Sequence, residues 1–433
     1  MTSIPDPPST ALLTDRYELT MLAAGLQDGS AHLPCVFEAF ARRLPDGRRY
    51  GVVGGTARLI DAIEQFRFGD DELRFLCDAK VVDSATLDWL SSYRFSGDIL
   101  GYREGEIFFP ESPVLTVRSS FAEGVVLETL ILSILNHDSA IAAAGARMVT
   151  AADGRPCIEM GSRRTHEEAA VAAARAAYLV GFDSTSNLEA GRRFGVPTAG
   201  TAAHAWTLLH ETEMAAFTSQ VNAFGRGTSL LVDTYDVMEG IRNAVHAAGP
   251  ELGAIRLDSG DLGELAVEAR ELLDSLGATK TRIIVTSDLD EYAIAALRAA
   301  PVNGYGVGTA LVTGSGAPTA GMVYKLVEHN GIPVAKKASG KASVGGVKLA
   351  VRRHNARGRM TEEEVVISGA PTAEPHDRPL QVPFITRGEI QPRHSLTESR
   401  DYHREAMGTL PLEAHKLLRG GPVIDVDVHR AEA

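Results

Sequence analysis

Between Leu179 and Val312 the chain repeats one kind of unit six times: a short apolar run, then a glycine, acidic or hydroxyl residue, then an alanine-rich helical stretch. The runs are YLVGFDSTSN, VPTAGTAAHA, SLLVDTYDV, AIRLDSGDL, RIIVTSDLDE and NGYGVGTALV. Their polar ends at Asp183, His204, Asp233, Asp258, Asp288 and Thr309 stand 21 to 30 residues apart. That is the length of a strand plus a helix. Continuous apolar runs, in place of alternating ones, belong to strands covered on both faces, as in a parallel sheet. No GxGxxG opens the first unit, so a dinucleotide-binding fold has no direct support. The expected core is an irregular α/β, TIM-like barrel with its polar residues at the carboxyl ends of strands, where barrel active sites are built. A single Asp at such a place is commonly just a helix N-cap. Six polar strand ends together argue for a site.

The flanks read differently. Residues 31–120 mix turn-rich, strand-like pieces with two acidic helical stretches, and PVAKKASGKASVGGVKLAVRRH (Pro333 to His354) resumes that hairpin character. The simplest arrangement is a second, α+β domain formed by the N-terminal region and later chain segments. The expected division is an N-terminal domain over 1–122, the barrel over 123–330, and a C-terminal segment over 331–433 packing on the first. The start, MTSIPDPPST, lacks the basic and apolar blocks of a secretory signal and reads as a loose arm. The most apolar run, Val125 to Leu135, carries Glu128 and is too short to span a bilayer, so it reads as a buried helix.

A formal charge of −13 argues against nucleic acid or an anionic membrane as partner, since neither polyanion is drawn to a negative surface. Any anionic ligand must be held by local cations. Three widely spaced cysteines, Cys35, Cys77 and Cys157, give no disulfide framework and no CxxC metal site, which suits a cytoplasmic protein.

Four features bear on chemistry on the residues alone. The glycine-rich turn YGVGTALVTGSG (Tyr305 to Gly316) could let backbone N–H groups approach an oxyanion, or could be only a turn. Arg163 and Arg164, ahead of a helix, could clamp a diphosphate or form a solvated charged corner. Arg256 lies inside an apolar strand two residues before Asp258, so both project from one face and the arginine needs a partner, Asp258 or a ligand carboxylate. His204, set among Ala202, Ala203 and Ala205, has as its plainer reading a satisfied core histidine.

LLTDRYELTMLAAG, GSRR, GFDSTSN, GTAAHAW, LVDTYD, IRLDSGDL and GVGTALVT, in this order, resemble the nicotinate phosphoribosyltransferase family, over most of the chain up to about Leu349. The resemblance implies a type II phosphoribosyltransferase fold and ATP-coupled transfer of phosphoribosyl from phosphoribosyl diphosphate to nicotinate, with Mg²⁺ required. It also implies a homodimer with a shared active site. Tyr17 would stack on nicotinate from the opposite protomer, and Thr201 and Arg256 would contact the base. Arg163, Gly308 and Thr309 would hold phosphates, Asp258 would face the ribose, and ATP would phosphorylate His204. Small neighbours would leave that histidine the room it needs. The attacking pyridine nitrogen carries no proton at neutral pH, so no general base is required, and a stacked Tyr17 would favour the ring as it becomes cationic.

Rival readings remain at this stage. A nicotinamide phosphoribosyltransferase would share nearly every motif, although an arginine placed for a carboxylate favours the acid. A quinolinate phosphoribosyltransferase would call for more cations around the strand ends. A barrel lyase or isomerase acting on sugar phosphates would call for a strand-end lysine or an acid/base pair, and none of the six ends carries a lysine. A barrel that merely binds a nucleotide is the non-catalytic reading.

Overall fold

The computed structural model describes residues 8–336 and 343–431. The first seven residues, part of the expected N-terminal arm, and 337–342 of the basic hairpin stretch lie outside the described residues. The chain divides into two compact units, one made of residues 1–140 and 319–433, the other of 141–318.

In the first unit, a seven-stranded sheet has Pro34–Ala41 near its middle, antiparallel to Met322–His329 on one side and to Leu115–Ser120 on the other. The N-terminal and C-terminal parts of the sequence thus share one hydrogen-bonded ladder. Phe37 stacks on Tyr324 across that seam at 5.0 Å, within an apolar cluster that also takes in Leu19, Val117 and Ile131. A second sheet of four strands is built from residues beyond 347, so the polar stretch past His354 is folded, with the helix Leu396–Thr409 placed before the sheet's last strand, Asp425–Arg430. Buried charges are paired: Lys348 Nζ lies 2.6 Å from Glu38, and Arg352 Nη2 lies 2.6 Å from Glu363, which also accepts the Tyr102 hydroxyl. The stretch Phe121–Ala152 is long and apolar enough to cross a membrane by composition, yet 67% of its most apolar window is buried inside the protein.

The second unit holds a six-stranded parallel sheet, in the order Ser184–Thr185, Cys157–Glu159, Gly304–Val307, Arg282–Val285, Ala254–Leu257, Ser229–Leu231. Among the described residues no ladder joins its two edges, and the sheet is a curled half-barrel in a mixed α/β fold.

Four of the six expected strands lie where their apolar runs indicated. Two do not. The run YLVGF closes the helix Glu167–Leu179 and its turn, and only Ser184–Thr185 is strand. Asp183 consequently precedes its strand, and its carboxylate accepts the Cys157 N–H at 3.0 Å. An alanine-rich helix and a buried strand both read as apolar, and length alone misassigns their junction. VPTAGTAAHA contributes a single bridge, Thr185 to Thr198, and His204 opens the short helix His204–Leu209. The strand that takes the vacated place is Cys157–Glu159, three residues too few to show a period.

Gly306 shows how tightly the sheet is filled: a Cβ there would lie 2.5 Å from Thr286 Cγ2 and 2.8 Å from Met160 Sδ. Gly306→Val is expected to lower unfolding stability by about 1–3 kcal/mol, as overpacking does in a close-packed interior. Chemical denaturation checks this, and an unshifted midpoint would refute the packing argument.

Candidate active site

Arg256 stands on the Ala254–Leu257 strand, two positions before its polar end. Its Nη1 donates to the Thr201 hydroxyl, while its Nε is buried and has no hydrogen-bond partner. Burial pulls its pKa down, and nearby Arg163 adds to the effect; Asp258 and Asp233 oppose it. A guanidinium held this way is half desolvated with part of its donor fork uncommitted, which suits a planar anion.

Asp258 follows that strand directly. Its backbone N–H donates to Asp233 Oδ2 at 2.9 Å, and Ser259 Oγ donates to the same oxygen at 2.8 Å. One Asp258 oxygen accepts the Thr286 hydroxyl from the adjacent strand end. Next to Thr286, Ser287 has φ +124°, a conformation side chains rarely adopt and one whose strain collects at functional sites.

His204 is the first residue of its helix, and its side chain is 42% exposed. Its Nδ1 lies 3.1 Å from Thr234 Oγ1, and its Nε2 lies 4.0 Å from Asp233 Oδ1. That Asp233 side chain is 1% exposed, and its Oδ1 has no hydrogen-bond partner. A buried carboxylate with one oxygen satisfied twice and the other bare is costly unless a cation or hydrogen-bond donor meets it. His204 is the group aimed there.

In the same unit the turn around Gly161 and the glycine-rich segment at Gly308 lie against each other. Arg163 is exposed in a turn where Arg164 N–H donates to the Gly161 carbonyl at 2.8 Å. A Cβ at Gly161 would stand 3.1 Å from the Gly308 carbonyl and 2.2 Å from Val312, so that turn runs against Gly308 and the four-residue helix Thr309–Val312. Beneath it Glu159 is buried, accepts from Thr185 and from the Gly161 N–H, and has its pKa raised by burial.

The sequence-predicted residues therefore sort into groups. His204 and Asp258 are linked through Thr234 and Asp233, Thr201 is bonded to Arg256, and Asp258, Asp233 and Arg163 lie within electrostatic reach of Arg256. Gly308 and Thr309 adjoin the Arg163 turn. Tyr17 belongs to the other unit, on the helix Arg16–Asp28. It is 46% exposed, and its hydroxyl is pushed up to about 12 by partial burial and by Glu128 and Glu18. Its neighbour Glu18 is fully buried and accepts the Thr129 N–H at 2.9 Å, which fixes the helix so that Tyr17 faces outward. The sequence reading gave no role to Asp233, Thr234, Thr286 or Glu159. Asp233 was marked as a strand end, but its bare oxygen is visible only in three dimensions.

With the geometry in place, comparisons locate the chain among known proteins. The family model for the nicotinate phosphoribosyltransferase (NAPRTase) N-terminal domain matches residues 12–136. Nicotinate phosphoribosyltransferase pncB1 of Mycobacterium tuberculosis is 61% identical over 423 residues, spanning 95% of this chain and 94% of the relative. Nicotinate phosphoribosyltransferase of Bacillus subtilis is 38% identical over 329 residues, 74% of this chain and 67% of that one. The crystal structure of human nicotinic acid phosphoribosyltransferase superposes with a TM-score of 0.85 at 26% identity, covering 97% of this chain and 98% of that one. Identity of this degree along nearly the whole length settles the kinship: the chain belongs to the nicotinate phosphoribosyltransferase family.

Proposed function

We propose that this protein transfers the phosphoribosyl group from phosphoribosyl diphosphate to nicotinate, forming nicotinate mononucleotide and diphosphate for NAD salvage. The observation that carries the reading is Arg256, a partly buried guanidinium held by Thr201, with its Nε unpaired at a strand end. A nicotinate carboxylate completes its hydrogen bonding, and the amide of nicotinamide does so less well because it offers one acceptor and no charge. Arg163, Gly308 and Thr309 hold phosphates. Asp258, oriented by Thr286, faces the ribose as its anomeric carbon gains oxocarbenium character.

His204 is the residue that ATP phosphorylates in this reading. The ring nitrogen left without a proton attacks the γ-phosphorus as ADP leaves, while the other, Nδ1 against Thr234 or Nε2 toward Asp233, holds the ring. Asp233 orients the ring. Mg²⁺ bound with the diphosphate would need only one or two protein carboxylates, and the bare oxygen of Asp233 with the carboxylate of Asp258 would fit that donor set. Bound there, the ion would neutralise charge on the leaving group. Tyr17 stacks on the base from a second copy of the chain, a reading supported by its outward exposure. We take the half-barrel as the larger part of an irregular barrel, with Pro197–Ala199 as its closing segment. The three free thiols, two of them buried, suit a cytoplasmic location.

Base selectivity tests the function. Diphosphate release with nicotinate is expected to exceed that with nicotinamide by about 10²-fold in kcat/KM, the discrimination one charge-assisted contact supplies. Equal rates with both bases would remove Arg256 from its role and favour the amide-using alternative.

A further inference from the structure

We propose that a cavity built wholly from the unit containing Tyr17 is a binding site for a small organic monocarboxylate, separate from the residues assigned to nicotinate and phosphates. Its empty space is about 560 Å³, its open mouth included. Its lining comes from the helix Thr56–Glu64, from Arg103 and Glu104, and from the chain between Val382 and Ser399. None of His204, Arg256, Asp258 or Asp233 belongs to that unit.

The chemistry of the wall is divided. Ile60, Val382, Pro383 and Phe384 form its apolar side. Phe384 lies so close over Gly101 that a Cβ there would be 2.7 Å from its ring, so the ring's place is fixed by a residue without a side chain. Arg103 and His394 also line the cavity. The Arg103 guanidinium lies 4.0 Å over the Tyr402 ring, and among the described residues no carboxylate or carbonyl accepts a hydrogen bond from it. A guanidinium held against a ring face leaves N–H donors that can grip a carboxylate with two parallel bonds. The remaining charges at the cavity are committed elsewhere. Arg393 is paired with Asp61 and Glu64, and the Glu104 carboxylate accepts the Gly55 N–H at 2.7 Å.

One free guanidinium beside an apolar wall selects a ligand with one negative charge and a hydrocarbon body. A dianionic phosphate is disfavoured, because the Glu104 carboxylate also lines the wall. In a chain of net charge −13 there is no general attraction for anions, so binding here depends on Arg103 itself.

The probe is 4-methylpentanoate, which resembles nicotinate in neither shape nor aromaticity, titrated calorimetrically into the full chain with nicotinate in excess. One saturable event per chain in the millimolar range is expected, with 4-methylpentanol, its uncharged counterpart, at least about tenfold weaker. Arg103→Gln should weaken the acid about tenfold and leave the alcohol unchanged. Ala57→Phe, which fills the cavity from the helix side, should abolish both, and it decides the matter should Arg103→Gln fail to fold. No saturable heat up to about 10 mM, equal affinity for acid and alcohol, or undiminished binding in Ala57→Phe would each overturn the proposal.

Discussion

His204→Ala is expected to take up no acid-labile, alkali-stable phosphoryl label from ATP, and to lose the stimulation of nicotinate mononucleotide formation by ATP. The ring sits at the start of a helix and its side chain is 42% exposed, so it is accessible from solvent. Thr234 and Asp233 bracket its two nitrogens, which holds the ring in its orientation. Because bond cleavage at the ribose depends on the phosphate-holding and base-holding residues and not on the imidazole, turnover without ATP should survive. The expected cost at low substrate is about 10- to 100-fold in kcat/KM, or about 1.4–2.8 kcal/mol. Asp233→Asn keeps the shape and removes the charge; it should retain labelling at a reduced rate, since an amide orients the ring less strongly than a carboxylate does. Label that persists in His204→Ala would sink the assignment whatever the activity.

Arg256→Gln should have the largest kinetic effect of any single substitution in this cluster, a fall of about 10²- to 10³-fold in kcat/KM for nicotinate. The glutamine can still reach the Thr201 hydroxyl, but it has neither the charge nor the second parallel donor. Losing a charge-assisted contact to a carboxylate in a desolvated site costs about 3–4 kcal/mol, more than the same contact in water. The diagnostic is the ratio between bases: activity with nicotinamide should fall far less, so the preference for the acid collapses. Arg256→Lys is not a rescue, because an ammonium on a flexible stem does not match the planar pair of oxygens. A uniform loss with both bases would mean that Arg256 serves the sheet rather than the ligand.

Legibility differed along the chain for physical reasons. The strands ending near Asp233, Asp258, Asp288 and Thr309 could be read because a strand buried on both faces must be apolar throughout and must end in residues that tolerate water. Cys157–Glu159 could not, since three residues carry no period, and its Glu159 is stabilised by Thr185 and the Gly161 N–H, contacts from other parts of the chain. The run before Asp183 misled for the opposite reason: a buried alanine-rich helix supplies the same apolar letters as a strand. In the candidate site, His204, Arg256 and Asp258 stand out in the sequence through their motifs. Asp233 and Thr234 acquire their meaning from distances of 4.0 and 3.1 Å to a ring some thirty positions away.

The order of residues alone determined the parallel α/β core, the family and the residue types able to grip a carboxylate and phosphates, because each of these depends on local pattern or on motifs kept in sequence. Folding decided the rest. It joined the first 140 residues to those beyond 318 in one sheet, placed Arg103 over Tyr402 with its donors open, and left one oxygen of Asp233 bare beside His204. Such pairings depend on long-range packing and on which polar atoms remain without a partner once every other contact is made, and no stretch of sequence carries that information locally.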